Sequence, residues 1–388
     1  MKSILIFGAG KIGRGFIGRL FYDGGYDLYF VDNNRDTVEL LNTEKQFRVQ
    51  VAGKPEMTRY IPVSGSFHIS DHQGMRKVFE KVDLFITAVG APNMLGMTDV
   101  IKELLMKRDH SLPVNWLICE NAYRPSVLIK ERLLENAGND FRDFVTNKLG
   151  LVETQILCSV MLPDDLILQQ EPLALKTQDW SVLPFDKDAY KGAIPVFPGL
   201  MPKKHFENEL VRKLFTFNGT NGPISYVGWL NGYQFLHEAA NAPELNGFIE
   251  EIQSESKFGL IGEYGFDPEE QDRFHLLALT KYKDETLEDL IERNARDLRK
   301  KLGINERLVG PALLCLKHGR KPYAYATATA AAIRYEGSTD EGSLEVRTSL
   351  AQNGLLTTLC RYTGLPEDHP FIDMVIQADQ NELFAFSK

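Results

Sequence analysis

Cysteine is scarce in this sequence of 388 residues, and no two cysteines form a C-x-x-C pair. The four cysteines are far apart in the chain, at Cys119, Cys158, Cys315 and Cys360. Such scattered cysteines are typical of reduced thiols and argue against a disulfide framework. The histidines are scattered too, and no zinc-binding pattern is complete, so we predict no metal site.

Long hydrophobic runs are also missing. No stretch approaches the eighteen or more apolar residues of a membrane span. The first segment, MKSILIFGAG, has only four apolar residues in a row before glycine, which is too short for a signal peptide. We therefore expect a cytoplasmic protein with no membrane partner.

The sequence has no excess of positive charge. Its 44 Lys and Arg residues stand against 53 Asp and Glu residues, and the formal net charge is -9. This acidic balance argues against nucleic-acid binding, which needs a basic surface. The length suggests two domains. The oligomeric state stays open between a monomer and a small homo-oligomer.

The first 160 residues alternate between apolar β-branched runs and amphipathic stretches. The predicted strands are ILIF (4–7), DLYFVD (27–32), VDLFITAVG (82–90) and VNWLICEN (114–121). Strands and helices in alternation predict a parallel sheet with crossover helices. The later stretch LALKTQDWSVLPFD alternates like strands without a following helix, and it predicts added antiparallel strands.

A glycine-rich motif follows the first predicted strand. FGAGKIGRG places Gly8, Gly10 and Gly13 in the pattern G-x-G-x-x-G at the start of a helix. The first glycine allows a tight turn, the second lets the backbone approach a pyrophosphate, and the third allows close packing of helix on strand. The pyrophosphate would then lie at the helix N-terminus. Without further context the motif is weak, because glycine turns also form for packing alone.

An acidic residue supplies that context. Asp32 ends the second predicted strand, nineteen residues after Gly13. Its carboxylate would bind a free ribose 2′-hydroxyl and repel a 2′-phosphate, so NAD is favoured, although the nearby Arg35 leaves NADP open. The predicted cofactor-binding residues lie in the turn, after the second strand and in TAVG (87–90): Gly8, Ala9, Gly10, Lys11, Ile12, Gly13, Asp32, Asn33, Thr87 and Val89.

Helical patterns dominate the second half of the chain. HFENELVRKLFTF, ELNGFIEEIQSESKFGLIGEYG and DETLEDLIERNARDLRKKLG carry apolar residues at three-to-four spacing. The predicted linker is GAIPVFPGLMP, with three prolines and two glycines. We predict an α/β fold: a Rossmann-type parallel sheet with added antiparallel strands in residues 1–195, and a mainly α-helical domain in residues 196–388.

One helical stretch, RKLFTFNGTN (212–221), combines a lysine and two asparagines with apolar residues. On an α-helix Lys213, Asn218 and Asn221 would lie at about 0°, 140° and 80°, on one side. One interpretation is a solvated face. The other is catalytic, because burial among apolar neighbours lowers a lysine pKa and the base can then accept a hydroxyl proton. Asparagine N–H groups can stabilise the developing oxyanion.

The motifs FGAGKIGRGFIG, TAVG, CEN, KGAIPVFPG, RKLFTFN, YGFD and DLRKKLGINERLVGP, in this order, resemble the polyol-specific long-chain mannitol dehydrogenase family. The resemblance covers nearly the whole chain. It implies an NAD-binding Rossmann domain, a helical second domain and metal-independent oxidation of a secondary alcohol. It also implies Lys213 as general base, with Asn218 and Asn121 at the reacting oxygen and Asn221 beside the substrate. The implied reaction interconverts a polyol phosphate, such as mannitol 1-phosphate, and a keto-sugar phosphate.

The sequence departs from the family pattern at two places. The family signature is K-x-x-x-x-N-x-x-H, and this sequence has Asn221 at the position of the signature's histidine. Unlike histidine, asparagine does not titrate near neutrality. The Asp-Arg pair of a stretch resembling V-D-R-I-x-P is absent from ILCSVMLP (156–163). Both positions affect substrate binding, so we expect the preferred substrate not to be identical to mannitol 1-phosphate.

Other functions stay open. A same-family enzyme could act on an unphosphorylated polyol or a hexuronate, and a silent NAD-binding protein could act as a sensor. The β-hydroxyacid dehydrogenases also use a lysine, but with K-x-x-x-N spacing. Candidates for binding phosphate are Arg293, Arg296, Arg299, Lys300, Arg307, Arg320 and Lys321, and candidates for lining the pocket are Tyr233 and His237.

Overall fold

The apolar runs of the first half form a six-stranded parallel sheet in a computed structural model that describes residues 2–122 and 124–385. The strands of this half are β1 (Lys2–Phe7), β2 (Tyr26–Asp32), β3 (Gln46–Val51), β4 (Lys54–Pro62), β5 (Gly65–His68), β6 (Leu84–Thr87), β7 (Val114–Ile118), β8 (Leu149–Glu153), β9 (Val160–Met161), β10 (Leu175–Thr177), β11 (Leu183–Asp186) and β12 (Leu200–Lys203). The main sheet has the order β5-β2-β1-β6-β7-β8. This is the 3-2-1-4-5-6 order of a Rossmann fold, which confirms the predicted fold class.

Both faces of the main sheet are buried. Alternate residues of β1 belong to two separate apolar cores: Ile4 and Ile6 to one, Leu5 and Phe7 to the other. Successive side chains on a strand point to opposite faces, so a run of four apolar residues requires cover on both sides. Helices supply that cover: α1 (Arg19–Asp23), α2 (Arg35–Glu44), α3 (His72–Phe79), α4 (Met94–Met106), α5 (Pro125–Leu134) and α6 (Asn139–Asn147). A further short helix, α7 (Asp165–Gln170), has no buried residue.

The added strands form a four-stranded sheet, β4-β3-β10-β9, and a pair, β11–β12. Antiparallel pairing was predicted for the stretch that holds β10 and β11, and β10 does pair antiparallel with β9. The other neighbour of β10, β3, is parallel to it, and β11 pairs with β12 in parallel. Periodicity marks a strand but does not specify the direction of its partner.

The second half of the chain is helical, and the two compact units divide between Phe206 and Glu207. The sequence analysis places the boundary between residues 195 and 196. The helices here are α8 (Phe206–Lys213), α9 (Gly219–Leu230), α10 (Leu236–Asn241), α11 (Asn246–Tyr264), α12 (Pro268–Tyr282), α13 (Ile291–Ala295), α14 (Leu298–Lys301), α15 (Val309–Lys317), α16 (Tyr323–Ile333), α17 (Glu341–Thr363) and α18 (Pro370–Gln380).

Two helices form the centre of this unit. In α9 every residue from Gly219 to Gly228 is buried, and in α16 every residue after Tyr323 is buried. A helix that is buried all round is a core helix. The small residues of α16, mostly alanine, allow close approach, and its Tyr325 hydroxyl donates to the carbonyl oxygen of Gly219 at 3.1 Å.

The predicted helix DETLEDLIERNARDLRKKLG is broken into α13, α14 and a short 3-10 turn (Glu285–Leu287). Asp297 separates α13 from α14 with a left-handed φ of 58°. Its backbone N–H donates to the Asp340 carboxylate at 3.0 Å, so a contact distant in sequence overrides the local periodicity. Within the described residues, no helix has both the length and the apolar character that a membrane span requires.

Candidate active site

The glycine-rich turn between β1 and the next helix has the backbone geometry that a dinucleotide requires. Gly8 has a φ of +101°, and a Cβ there would lie 2.4 Å from the Ala88 carbonyl oxygen. A Cβ at Gly13 would lie 1.9 Å from the Gly8 carbonyl oxygen, so helix and strand are in close contact. A Cβ at Gly10 would meet nothing within 4 Å, which leaves its backbone open to a ligand. These are the three roles of the motif's glycines.

Asp32 ties this turn to the end of β2. One carboxylate oxygen accepts from the Ala9 N–H at 2.7 Å, and the other accepts from the Asn34 N–H at 2.9 Å. A carboxylate has about four acceptor positions, so ribose hydroxyls can still be bound. Lys11, Asn33 and Arg35 are exposed, and Ile12 is half-buried.

Arg14, directly after the third glycine, forms a hydrogen bond with the backbone of the turn. Its Nε donates to the Ala9 carbonyl oxygen at 2.6 Å, and its Nη1 donates to the Leu173 carbonyl oxygen at 2.5 Å. Burial lowers the pKa of Arg14 to about 10. The sequence analysis missed this residue, although its position inside the motif was a usable signal.

The ends of β6 and β7 meet at a buried carboxylate. Glu120 Oε1 accepts from the Val89 N–H at 2.8 Å, and its Oε2 has no hydrogen-bond partner among the described residues. Burial raises the pKa of Glu120. Thr87 is buried and accepts from the Trp116 indole N–H at 2.9 Å, whereas Asn121 is exposed just beyond β7. Sequence reasoning named Asn121 and overlooked Glu120 beside it.

The position that lacks the family's Asp-Arg pair is apolar and packed. Leu157, Cys158 and Val160 are buried, and the Cys158 thiol lies 3.1 Å from the Thr177 hydroxyl. Two charged side chains would be costly in such surroundings without partners. The absence of the Asp-Arg pair is therefore consistent with the apolar packing of this segment.

In the second unit, Lys213 ends α8 and is followed by a π-helical turn, Leu214–Asn218. The Gly219 N–H donates to the Leu214 carbonyl oxygen, five residues back. A π turn takes in one residue more than an α turn, so Asn218 follows Lys213 by about one turn. The angle of 140° expected for an α-helix is wrong here, and the two side chains share a face more closely than predicted.

Burial, together with the positive charges of Lys281 and Arg307, lowers the pKa of Lys213 to about 8. Phe215 and Phe217, both within the turn, are buried apolar neighbours in the sequence. A lysine with this pKa is partly neutral near pH 8 and can accept a proton. The interpretation of this stretch as a solvated face does not fit a lysine in such an environment.

Other helices hold the π turn through its backbone. Three hydroxyls donate to carbonyl oxygens of the turn and of the residue after it: Ser256 to Phe215 at 2.9 Å, Tyr282 to Phe217 at 2.8 Å and Tyr325 to Gly219 at 3.1 Å. In addition, the Gln271 amide donates to the Thr216 hydroxyl at 2.8 Å. A π turn disrupts the regular α-helical hydrogen-bond pattern, and buried backbone groups need partners. These donors therefore stabilise the unusual turn.

Asn221 is only 9% exposed and belongs to an amide pair. Its Nδ2 donates to Asn294 Oδ1 at 3.2 Å, and Asn294 Nδ2 donates to the Leu290 carbonyl oxygen at 3.0 Å. Lys301 Nζ donates to the Asn294 carbonyl oxygen at 2.6 Å, and burial lowers the pKa of Lys301 to about 7. The sequence analysis identified neither Asn294 nor Lys301.

The basic residues named as phosphate candidates have different surroundings. Four of them are in ion pairs: Arg293 with Asp289, Arg299 with Glu345, Arg320 with Glu251 and Arg307 with the adjacent Glu306. Arg296, Lys300 and Lys321 are exposed. Arg307 is half-buried against α9. Of the pocket candidates, Tyr233 donates to Glu244, and His237 stacks on Phe235 with ring centroids 5.6 Å apart.

Known proteins resemble both units. The family model described as mannitol dehydrogenase Rossmann domain matches residues 2–160, and the mannitol dehydrogenase C-terminal domain matches residues 205–374. The mannitol-1-phosphate 5-dehydrogenase of Thermoanaerobacter pseudethanolicus is 27% identical over 97% of this chain and 97% of that protein. The enzyme of that name from Bacillus velezensis is 30% identical over 96% of this chain and 98% of that protein.

Among solved structures, a D-sorbitol dehydrogenase in substrate-free form has a TM-score of 0.81 at 12% identity. The match covers 97% of this chain and 92% of the other, and at this identity it shows the shared fold. The predicted oxidoreductase class and the NAD cofactor are confirmed by the two family models together with the full-length relatives. The chain belongs to the mannitol dehydrogenase family.

Proposed function

We propose that this protein interconverts a polyol phosphate of the mannitol 1-phosphate kind and the corresponding keto-sugar phosphate, with Lys213 as general base. The observation that carries the proposal is the position of Lys213, with a pKa lowered to about 8, directly before the π turn that ends at Asn218. The two relatives described above are both named for mannitol 1-phosphate oxidation, and they match nearly the full chain. This supports a phosphorylated substrate over a free polyol.

NAD, when bound, supplies the hydride acceptor. The open backbone at Gly10 and the adjacent helix start would hold its pyrophosphate, and Asp32 would bind its adenosine ribose. Gly13 and Gly8 are in close contact and have no side chains, so no side chain of either glycine blocks the turn. The residues present therefore fit this cofactor.

For the alcohol, we assign the neutral amine of Lys213 the role of accepting the hydroxyl proton as the carbon loses hydride. Asn218, one turn on, would donate an N–H to the developing oxyanion, and Asn121 would be a second donor. The overall change is alcohol plus NAD⁺ to ketone, NADH and one proton. That proton leaves through the lysine.

Asn221 has a different role from the one that a histidine would have at this position. Its Nδ2 already donates to Asn294, and no described residue donates to its Oδ1. The side chain would thus offer a substrate hydroxyl the Oδ1 acceptor and the second N–H of its Nδ2, but no proton relay. Together with the apolar segment at Cys158, this supports a preferred substrate that is not identical to mannitol 1-phosphate.

The test is a kinetic comparison of mannitol 1-phosphate, glucitol 6-phosphate, free mannitol and a hexuronate, following NADH absorbance. We expect one of the two phosphates to be oxidised with the highest kcat/KM. Higher kcat/KM for free mannitol or the hexuronate would favour the alternative substrates. Tight NAD binding with no turnover of any of the four would favour the sensor.

A further inference from the structure

We propose that Arg307 forms an anion subsite that binds the phosphate group of the substrate, beside Asn221 on α9. This assignment rests on the proposed function and names the residue that would distinguish a phosphorylated polyol from a free one. It singles out one arginine from seven basic candidates in the sequence.

The first argument is the position of the side chain. A Cβ at Gly222 would lie 3.2 Å from Arg307 Cδ and 3.5 Å from its Cγ, so the arginine stem crosses α9 immediately after Asn221. A Cβ at Gly219 would lie 3.6 Å from the Arg307 carbonyl oxygen. The two glycines thus let Arg307 approach the helix that carries the proposed substrate residues. The Arg307 charge also lowers the pKa of Lys213 and of Lys301.

The second argument is the unused hydrogen-bonding capacity of the guanidinium. The Arg307 side chain is 16% exposed, and its Nε lies 3.3 Å from the carboxylate of the adjacent Glu306. Within residues 2–122 and 124–385, Nη1 and Nη2 of Arg307 donate to no protein acceptor. The terminal nitrogens of Arg299 and Arg320, by contrast, donate to carboxylates. These two terminal nitrogens are therefore available to bind an anion.

The third argument is the chemistry of the ligand. The planar edge formed by two guanidinium nitrogens matches two phosphate oxygens. The positive charges of Lys281 and Arg307 lower the pKa of Lys213, and the negative charge of Glu306 raises it. With Lys213 neutral, these three charges sum to a positive value, which attracts an anion. Gly222 also lies about two turns beyond Lys213, and a substrate phosphorylated on carbon 1 and oxidised at carbon 5 keeps these groups apart.

The test compares Arg307→Gln, which loses the charge, with Arg307→Lys, which keeps the charge but loses the planar edge. Arg299→Gln is the matched control, because Arg299 is exposed and ion-paired. We expect Arg307→Gln to raise KM for mannitol 1-phosphate about 10- to 100-fold and to change KM for free mannitol much less. Because the Arg307 charge also lowers the pKa of Lys213, the pH dependence of kcat should shift to higher pH equally for both substrates. Arg307→Lys should fall between wild type and Arg307→Gln. NAD affinity should stay the same in all three variants.

Calorimetric titration with inorganic phosphate and with mannitol 1-phosphate tests the subsite without turnover. Wild type should bind both, and Arg307→Gln should bind both more weakly. If Arg307→Gln does not fold, Arg307→Lys and the wild-type titrations still decide the matter. No phosphate binding by wild type, or equal losses for phosphorylated and free polyol, overturns the subsite. A loss confined to a hexuronate would assign the site to a carboxylate and overturn the phosphate assignment.

These results also separate the two proposals. Wild-type oxidation of free mannitol that is abolished in Lys213→Ala, without any phosphate binding, would retain the dehydrogenase and reject the subsite. Phosphate binding that depends on Arg307, without turnover of any polyol, would retain the subsite and reject the reaction.

Discussion

The hydroxyl of Tyr282 donates to the carbonyl oxygen of Phe217 at 2.8 Å, joining the end of α12 to the π turn after Lys213. Tyr282 is buried, and Phe217 directly precedes Asn218. The hydrogen bond therefore positions the backbone next to a proposed substrate ligand. Tyr282 is a positioning residue in this scheme, because it acts through the turn.

We expect Tyr282→Phe to leave the buried Phe217 carbonyl oxygen without this donor, at a cost of about 1–3 kcal/mol of unfolding free energy. The kcat should fall because Asn218 loses its fixed position, and NAD affinity should not change. Thermal unfolding and initial rates measure the two effects, with the exposed Tyr323→Phe as control. A normal kcat in a destabilised Tyr282→Phe protein would limit this hydrogen bond to a structural role.

Sequence periodicity predicted the parallel sheet and the glycine turn because their determinants are local. Ile4 to Phe7 form an apolar run that fits only a strand buried on both faces, and Gly8 needs a positive φ. The π turn has no such local signal. Its donors Ser256, Tyr282 and Tyr325 lie 41, 65 and 106 residues from the carbonyl oxygens that they contact. Neither their identity nor their position follows from the ten residues around Lys213.

Lys213 should set the pH dependence of alcohol oxidation. Because burial lowers its pKa to about 8, the neutral base is in the minority below that pH and predominates above it. We therefore expect the oxidation rate to rise with pH through about 8 and to level off roughly one pH unit above that, where most of the amine is deprotonated. The measurement is kcat from pH 6 to 10 with a substrate deuterated at the reacting carbon. The isotope effect identifies conditions in which hydride transfer limits the rate.

The Lys213→Ala and Lys213→Arg variants test the same role directly. Both should lower kcat about 10²- to 10⁴-fold, since alanine has no base and arginine stays protonated. NAD affinity, measured by fluorescence titration, should be unchanged because the glycine turn is untouched. An unchanged kcat in either variant would remove Lys213 from proton transfer.

Asp32 should determine the choice between NAD and NADP. Replacing it with alanine, together with Asn33→Arg, removes the carboxylate that would repel a 2′-phosphate and adds a cation for it. We expect the dissociation constant for NADP to fall and that for NAD to rise. Part of the rise for NAD reflects the lost Asp32 contacts with the Ala9 and Asn34 N–H groups.

Fluorescence titration with both dinucleotides measures these constants, and the exposed Asp36→Ala in the first turn of α2 is the matched control. Asp36→Ala should leave both affinities close to wild type. A wild-type protein that already binds NADP more tightly than NAD would contradict the role given to Asp32.

Asn221→His would restore the family signature, but we expect this single change to lower both stability and activity. Asn221 is 9% exposed and pairs with Asn294 at 3.2 Å, so an imidazole would enter a packed site and lose the amide pair. We expect lower thermal stability, with a cost of about 1–3 kcal/mol, and a lower kcat. The second change Asn294→Ala should make room for the ring and recover part of the kcat.

The double variant should also gain an ionisation near the ordinary histidine pKa of about 6.5 in its pH–rate profile. Thermal unfolding and kcat between pH 5 and 9 measure both effects, with Asn294→Ala alone as the control. That control should lose stability without gaining the new ionisation. If Asn221→His alone kept the wild-type stability and kcat at every pH, the pair with Asn294 would not be what holds this position. Its role as a fixed acceptor for a substrate hydroxyl would then be wrong.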